Sequence, residues 1–318
     1  MKKERTLVKR ILIITLALII AVSAAACGNG TTDESEPPAS PATEQSPSSS
    51  PPASTPPSQT PPSQTPEQSQ EPASPPADTP PPVEDIELIV FAAASMTDTL
   101  EEIAVLYQSV APNVTLVFNF DSSGTLKTQI EEGAQCDVFI SAALRQMNEL
   151  DELDFVLQET RIDMLENKVA LVVPDGNPKN ITSFEDLADA LTGGDILMAM
   201  GNSDVPVGQY TQRILEFFGL DEDTLANSGV ISYGSNVREV TTQVTEASVE
   251  VGIVYATDAF STGLEVVDTA TAEMCGQVIY PAAVLNIASD IEAAKAFLDY
   301  LLTPPAMGVF ESVGFSPV

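Results

Sequence analysis

The sequence predicts an α/β protein, and three observations carry that prediction. From Glu87 onward, short apolar runs alternate with stretches of helical periodicity. The runs are apolar at nearly every position rather than at every second one, as in DVFIS, KVALVV and VGIVY. Several runs end in turns of Gly, Ser and Asn that open directly into a helix. Strands buried on both faces belong to sheets covered by helices, so the expectation is an α/β fold with mostly parallel sheets.

The first 26 residues lie outside that fold. MKKERTLVKR carries five Lys/Arg and one Glu, and ILIITLALIIAVSAAA follows as an apolar run ending in small residues before Cys27. A charged region, an apolar core and a small-residue cleavage region form a signal segment. SAAAC resembles a lipoprotein signal whose Cys27 is lipidated after cleavage, although Ala24 stands where Leu is usual; a plain secretory signal or a single membrane anchor accounts for the same residues. Residues 27–85 are low in complexity, with 17 of the 25 prolines, nine acids and no Lys or Arg. Such a composition buries too little apolar surface to offset its ordering entropy, so it reads as a disordered tether with polyproline-II character. No later apolar run is long enough to span a bilayer.

The 233 residues from Ile86 to Val318 are enough for one large domain or two lobes. Their first strand is Glu87–Ala93. The helix Thr97–Val110 places Leu100, Ile103, Ala104 and Tyr107 on one face. The β-branched and aromatic strand Thr115–Phe120 runs through Ser122-Ser123-Gly124 into a helix over about Thr125–Glu132, with Leu126 and Ile130 inward. Strand Asp137–Ser141, helix Leu144–Glu152 and strand Lys168–Val173 follow. Ser183 caps a helix over Ser183–Ala190, with Asp186 three residues on. Strand Ile196–Met200, helix Val207–Phe218, strand Val230–Tyr233, helix Val237–Thr245 and strand Val251–Tyr255 come next. The chain closes with a strand run over Val278–Ala288, broken at Pro281, and a helix over Ile291–Thr303.

Composition excludes several function classes. The folded part holds 36 acidic and 8 basic residues, a net charge of −28, which argues against nucleic acid and against anionic lipid. The chain has no His, so the commonest general base and metal ligand are missing. There is no Gly-x-Ser-x-Gly elbow, and Asp121 and Asp137 are acids without an evident partner, so no enzyme is expected. Cys136 and Cys275 remain after Cys27; an oxidising exterior permits a disulfide between them, and their spacing does not decide it.

Ligands of such sheets bind beyond the carboxyl ends of the strands. Those ends carry Ala94-Ser95-Met96, Asp121-Ser122-Ser123-Gly124, GNSDVPVG at Gly201–Gly208, and Gly234-Ser235-Asn236-Val237. Each presents backbone N–H groups, and helix N-termini of this kind hold anions without needing Lys or Arg. The same serines also fit as ordinary helix caps, Tyr255 as a core aromatic, and Val207 and Val237 as packing residues.

Taken together, FAAASMTDTLEEIA, FDSSGTLKTQIEEGAQCDVFISA, DVPVGQYTQ, NVREV and GIVYATDA resemble the segments of molybdate-binding proteins of ABC importers. That resemblance implies a two-lobed type II periplasmic-binding-protein fold with a hinge. One lobe takes 86–167 plus 276–318, and the other takes 168–275. It also implies an oxyanion site made by the hydroxyls and amides of Ser95 and Ser123, the N–H groups of Val207 and Val237, and the phenol of Tyr255. Gly124 stands where some relatives have a third Ser, and Asn236 where Asp or Glu is common; neither change removes a donor. Arg238 takes a structural role. The implied ligand is molybdate or tungstate, with sulfate or an oxyanion-sensing domain as the alternatives, and no cofactor. The implied setting is a lipid-anchored monomer on the outer face of the cytoplasmic membrane, delivering to an ABC permease and, through it, to ATPase subunits.

Overall fold

A computed structural model describes residues 84–318. The expected signal segment with Cys27 and the tether up to Val83 lie outside the described residues. The first part of the fold runs β1 (Ile86–Ala93), α1 (Thr97–Gln108), β2 (Val114–Asp121), α2 (Ser123–Glu131), β3 (Val138–Ile140), α3 (Leu144–Glu152) and β4 (Ile162–Asn167). The middle part runs β5 (Val169–Val173), α4 (Phe184–Gly193), β6 (Met198–Gly201), α5 (Pro206–Phe217), α6 (Glu222–Ser228), β7 (Ile231–Gly234), α7 (Val237–Thr245), β8 (Val251–Tyr255), α8 (Ala256–Thr262), β9 (Glu265–Thr269) and α9 (Ala272–Cys275). The chain then returns through β10 (Val278–Val284), α10 (Ile291–Leu301), α11 (Pro304–Ser312) and β11 (Ser316–Pro317).

The strands form two sheets. One has the order β11-β4-β10-β3-β1-β2, and the other β7-β6-β8-β5-β9. The expectation of mostly parallel sheets is corrected: among the described residues four strand pairs are parallel and five antiparallel. Unbroken apolarity reports burial on two faces and carries no information about direction. All five residues of β5 are buried, as are all seven of β10, and both strands run antiparallel to their neighbours. Only Lys168 separates β4 from β5, so the chain passes straight from the first sheet into the second.

The chain crosses between the sheets twice, at Asn167–Lys168 and again just before Val278. The two crossings lie side by side, because Asn167 pairs with Val278. Strand β10 does not stop at Pro281. It continues to Val284 through a register shift at Tyr280/Pro281, which absorbs the missing proline N–H inside the sheet. Helix ends follow their chemistry. Ser183 accepts from the Asp186 N–H, Asp221 from the Thr224 N–H, and Asp290 from the Ala293 N–H. Cys136 and Cys275 are both buried and free, so the structure holds no bridge between them. Among the described residues no helix is long and apolar enough to cross a membrane.

Candidate functional site

The parallel register brings three turns to one edge of the first sheet. Ala92 pairs with Phe120 on one side and Ile140 on the other, so β1, β2 and β3 end level. Beyond those ends come Ser95, then Ser122-Ser123, then Ser141-Ala142. In the second sheet Gly201 pairs with Gly234, and Ala199 with Gly252, so β6, β7 and β8 also deliver their following residues to one edge. Val207, Val237 and Tyr255 stand there.

The two serines of the β2 turn divide the work. Ser122 is the helix cap, and its Oγ accepts from the Thr125 N–H at 3.1 Å. Ser123 is the first residue of α2 and is completely buried. Its Oγ accepts from the Ala142 N–H at 2.9 Å, so its own hydrogen is left to point elsewhere. Ser95, in a 3-10 turn over Ala94–Met96, is half-buried, and its Oγ lies 2.9 Å from the Tyr280 hydroxyl.

On the other side, α5 starts with Pro206 at its first turn, and its N-cap Val205 supplies no side-chain cap. The N–H groups of Val207 and Gly208 lie in the turn where a helix offers donors without internal partners. Asn236 caps α7 by accepting from the Glu239 N–H at 3.1 Å, which leaves the N–H of Val237 in the same condition. Tyr255 ends β8 and is 1 % exposed, yet its hydroxyl has no hydrogen-bond partner among the described residues. A buried phenol left unpaired costs about 1–3 kcal/mol, and the cavity it faces has room for one small partner. Burial raises the phenols of Tyr255 and Tyr280 well above their ordinary value, and both remain protonated donors.

Ser95, Ser123, Val207, Val237 and Tyr255 all line a single cavity of about 10 Å³, just enough for one water. No Lys or Arg lines it, and Asp121 is its one acid. The Asp121 Oδ1 is occupied by the Ser122 N–H at 2.7 Å and the Asn236 amide at 3.3 Å. The walls come from different sheets and touch closely. A Cβ at Gly124 would sit 2.1 Å from the Asp204 carbonyl oxygen, so only Gly allows α2 to meet the loop before α5. Arg238 reaches across as well, donating from Nε to the Ala94 carbonyl at 3.1 Å and pairing with Asp98 at 2.6 Å. It grips the backbone beside Ser95 and does not line the cavity. Behind Ser95 lies a second cavity of about 250 Å³. Asp258 lines it with one carboxylate oxygen unpaired, and burial pushes that carboxyl up to about 7 while Arg238 pulls it down.

Sequence reasoning missed two residues here. Tyr280 orients Ser95, and Asn167 donates to Tyr280 at 3.3 Å and to Thr257 Oγ1 at 2.9 Å. The signals were slight: a Tyr before a strand Pro, and an Asn at the crossing. Asp137, left without a partner by the sequence, is a structural carboxylate that accepts from the N–H groups of Ile89 and Ser289, each at 2.6 Å. Among the described residues no cluster of His, Cys, Asp or Glu suits a metal ion.

Comparison with known proteins agrees with this architecture. The family model described as "Bacterial extracellular solute-binding protein" matches residues 88–316. The chain is 35% identical over 240 residues to the molybdate-binding protein ModA of Haemophilus influenzae, covering 72% of this chain and 90% of that one. It is 34% identical over 235 residues to ModA of Escherichia coli, covering 72% and 89%. Among solved structures, the periplasmic molybdate-binding protein of Azotobacter vinelandii superposes with a TM-score of 0.63 at 21% identity, over 72% of this chain and 98% of that one.

Proposed function

We propose a specific task for this chain, which belongs to the bacterial extracellular solute-binding proteins: it captures molybdate or tungstate between its two sheets and delivers it to an ABC permease. The observation that carries this reading is the Tyr255 hydroxyl, buried without a partner on the wall of the cavity that Ser95 and Ser123 share. Every proposed ligand contact is a donor. The hydroxyls of Ser95, Ser123 and Tyr255 and the N–H groups of Val207 and Val237 surround a tetrahedral oxyanion as donors, and the one acid of the lining, Asp121, turns Oδ1 to the Ser122 N–H and the Asn236 amide. Such a site binds the fully ionised anion and performs no chemistry on it. The names of the two curated relatives point to molybdate.

The anion bridges residues 86–167 plus 276–318 on one side and 168–275 on the other, which we take as the two lobes. The cavity holds about one water, so entry requires its walls to part, with the two neighbouring crossings as the hinge. A ligand that binds both walls shifts the equilibrium toward the closed form, and the permease reads that form. In this reading Cys27 carries a lipid, and the 27–85 tether lets a monomer work outside the membrane. A second reading, sulfate, draws on the same small cavity, because sulfate is the smaller anion.

The test is calorimetric titration of the full chain with molybdate, tungstate, sulfate and phosphate. Tight binding of the first two and loss of roughly ten- to hundredfold affinity in Tyr255→Phe are expected. Sulfate binding tightest would move the assignment to the second reading, and no binding of any of the four would end it.

A further inference from the structure

The hydrogen bonds around Ser95 have a fixed direction. The Asn167 Oδ1 accepts from the Lys168 N–H at 2.8 Å, which settles the amide orientation and makes Nδ2 the donor end. Nδ2 has two hydrogens, one for Thr257 Oγ1 at 2.9 Å and one for the Tyr280 hydroxyl at 3.3 Å. Tyr280 is completely buried and protonated, so its oxygen receives one hydrogen and must place its own. Of the hydroxyls beside it, Ser95 Oγ at 2.9 Å stands in hydrogen-bond geometry, whereas Tyr255, whose ring lies edge-on at 5.7 Å, forms no such bond. Ser95 therefore receives from Tyr280, and its own hydrogen points onward into the cavity.

We infer that Asn167 is a specificity-determining positioning residue: acting through Tyr280, it holds Ser95 as an obligate donor and so makes the site select fully ionised tetrahedral oxyanions over ones that carry a proton. The inference rests on the oxyanion reading of the cavity and adds to it. Asn167 touches no ligand, and it stands at the crossing between the sheets. Its isostere Asp has no hydrogen to give. In Asn167→Asp one carboxylate oxygen keeps the Lys168 N–H, and the other accepts from Tyr280. Tyr280 then accepts from Ser95, and Ser95 Oγ turns a lone pair toward the ligand. A hydrogen phosphate can donate to that lone pair, whereas molybdate and sulfate are repelled by it.

The experiment is competition calorimetry on the full chain with molybdate, sulfate and phosphate, at mildly alkaline pH where all three carry two negative charges. The added charge of Asp then weakens all three equally and cancels in their ratios. In Asn167→Asp the preference for molybdate over hydrogen phosphate should fall by roughly tenfold or more, the scale of one charge-assisted hydrogen bond, with the molybdate-to-sulfate ratio unchanged. Introducing Asn167→Asp on top of Tyr280→Phe should leave the ratios of Tyr280→Phe unaltered, because the message no longer reaches Ser95. Tyr280→Phe alone should narrow the same preference, and this serves if the Asp variant does not fold. Equal weakening of all three anions in Asn167→Asp, or an unchanged preference in Tyr280→Phe, would overturn the inference while leaving the oxyanion site intact. A wild-type chain that takes none of the three anions would remove both.

Discussion

The turn after β2 and the turn after β1 present the same side chain to the same cavity and hold it by different means. Ser123 is fixed by main chain: its oxygen takes the Ala142 N–H, and the next residue, Gly124, packs against the Asp204 carbonyl of the opposite wall. Ser95 is fixed by side chains: Tyr280 and Asn167 orient its hydroxyl, and Arg238 bridges to the opposite wall through the Ala94 carbonyl and Asp98. Main-chain fixing ties ligand geometry to fold stability, because neither group can be lost without leaving a buried donor unpaired. Side-chain fixing leaves the main-chain hydrogen bonds of the turn in place and makes selectivity adjustable by substitution at the buried Tyr280 and Asn167.

The largest effect should come from breaking the main-chain contact. Gly124→Ala puts a Cβ 2.1 Å from a carbonyl oxygen that cannot swing away, so the walls cannot close as they do here. Oxyanion affinity should fall about a hundredfold or more, and X-ray scattering with ligand should show a chain that stays expanded. The next pair separates the two turns directly. Ser123→Ala should lose roughly ten- to hundredfold affinity and also about 1–3 kcal/mol of stability, since the Ala142 N–H is left unpaired. Ser95→Ala should lose similar affinity with little change in denaturant midpoint, because Ser95 is half-buried beside a larger cavity where water can take the Tyr280 hydrogen. Equal stability losses in the two variants would erase the distinction.

A smaller effect belongs to the side-chain-fixed face. Asp258 has its carboxyl raised by burial from an ordinary 3.8 to about 7. The native state therefore holds this proton more tightly than the unfolded chain, so Asp258 favours folding at acid pH and withdraws that support as pH rises toward 7. Asp258→Asn should melt at a higher temperature than wild type above neutral pH, with the difference shrinking toward pH 4. The smallest effect is long-range. A net charge of −28 on residues 86–318 opposes an approaching dianion, so the association rate should rise with added salt.

Most of the fold that places these turns is legible in the residues. The helices Leu144–Glu152 and Val237–Thr245 and the strand Val251–Tyr255 begin and end where periodicity and apolarity put them. The elements that escaped are the less regular ones. β4, IDMLEN, is polar at three of its six positions and gains its place by pairing with β10 and β11, both more than a hundred residues away. β9 is an edge strand without a buried residue. α6 and α11 do carry readable starts, Asp221 with Thr224 and the Pro304-Pro305 pair, which periodicity over so few residues does not register. The serine pair shows the same limit at the site. Sequence marks Ser122-Ser123 as a helix start, but which of them caps the helix and which takes the Ala142 N–H depends on where Ala142 lies. Tyr280 and Asn167 carry only slight signals in the sequence, because their meaning depends on antiparallel pairing across the sheet crossing.

The most direct test is a crystal structure of the full chain grown with molybdate, with the metal located by its anomalous scattering. The account predicts the anion between the turns, its oxygens within hydrogen-bond reach of Ser95 Oγ, Ser123 Oγ, the Tyr255 hydroxyl and the N–H groups of Val207 and Val237, with Arg238 still on Ala94 and Asp98. Molybdate bound elsewhere, or held by Arg238, would contradict it.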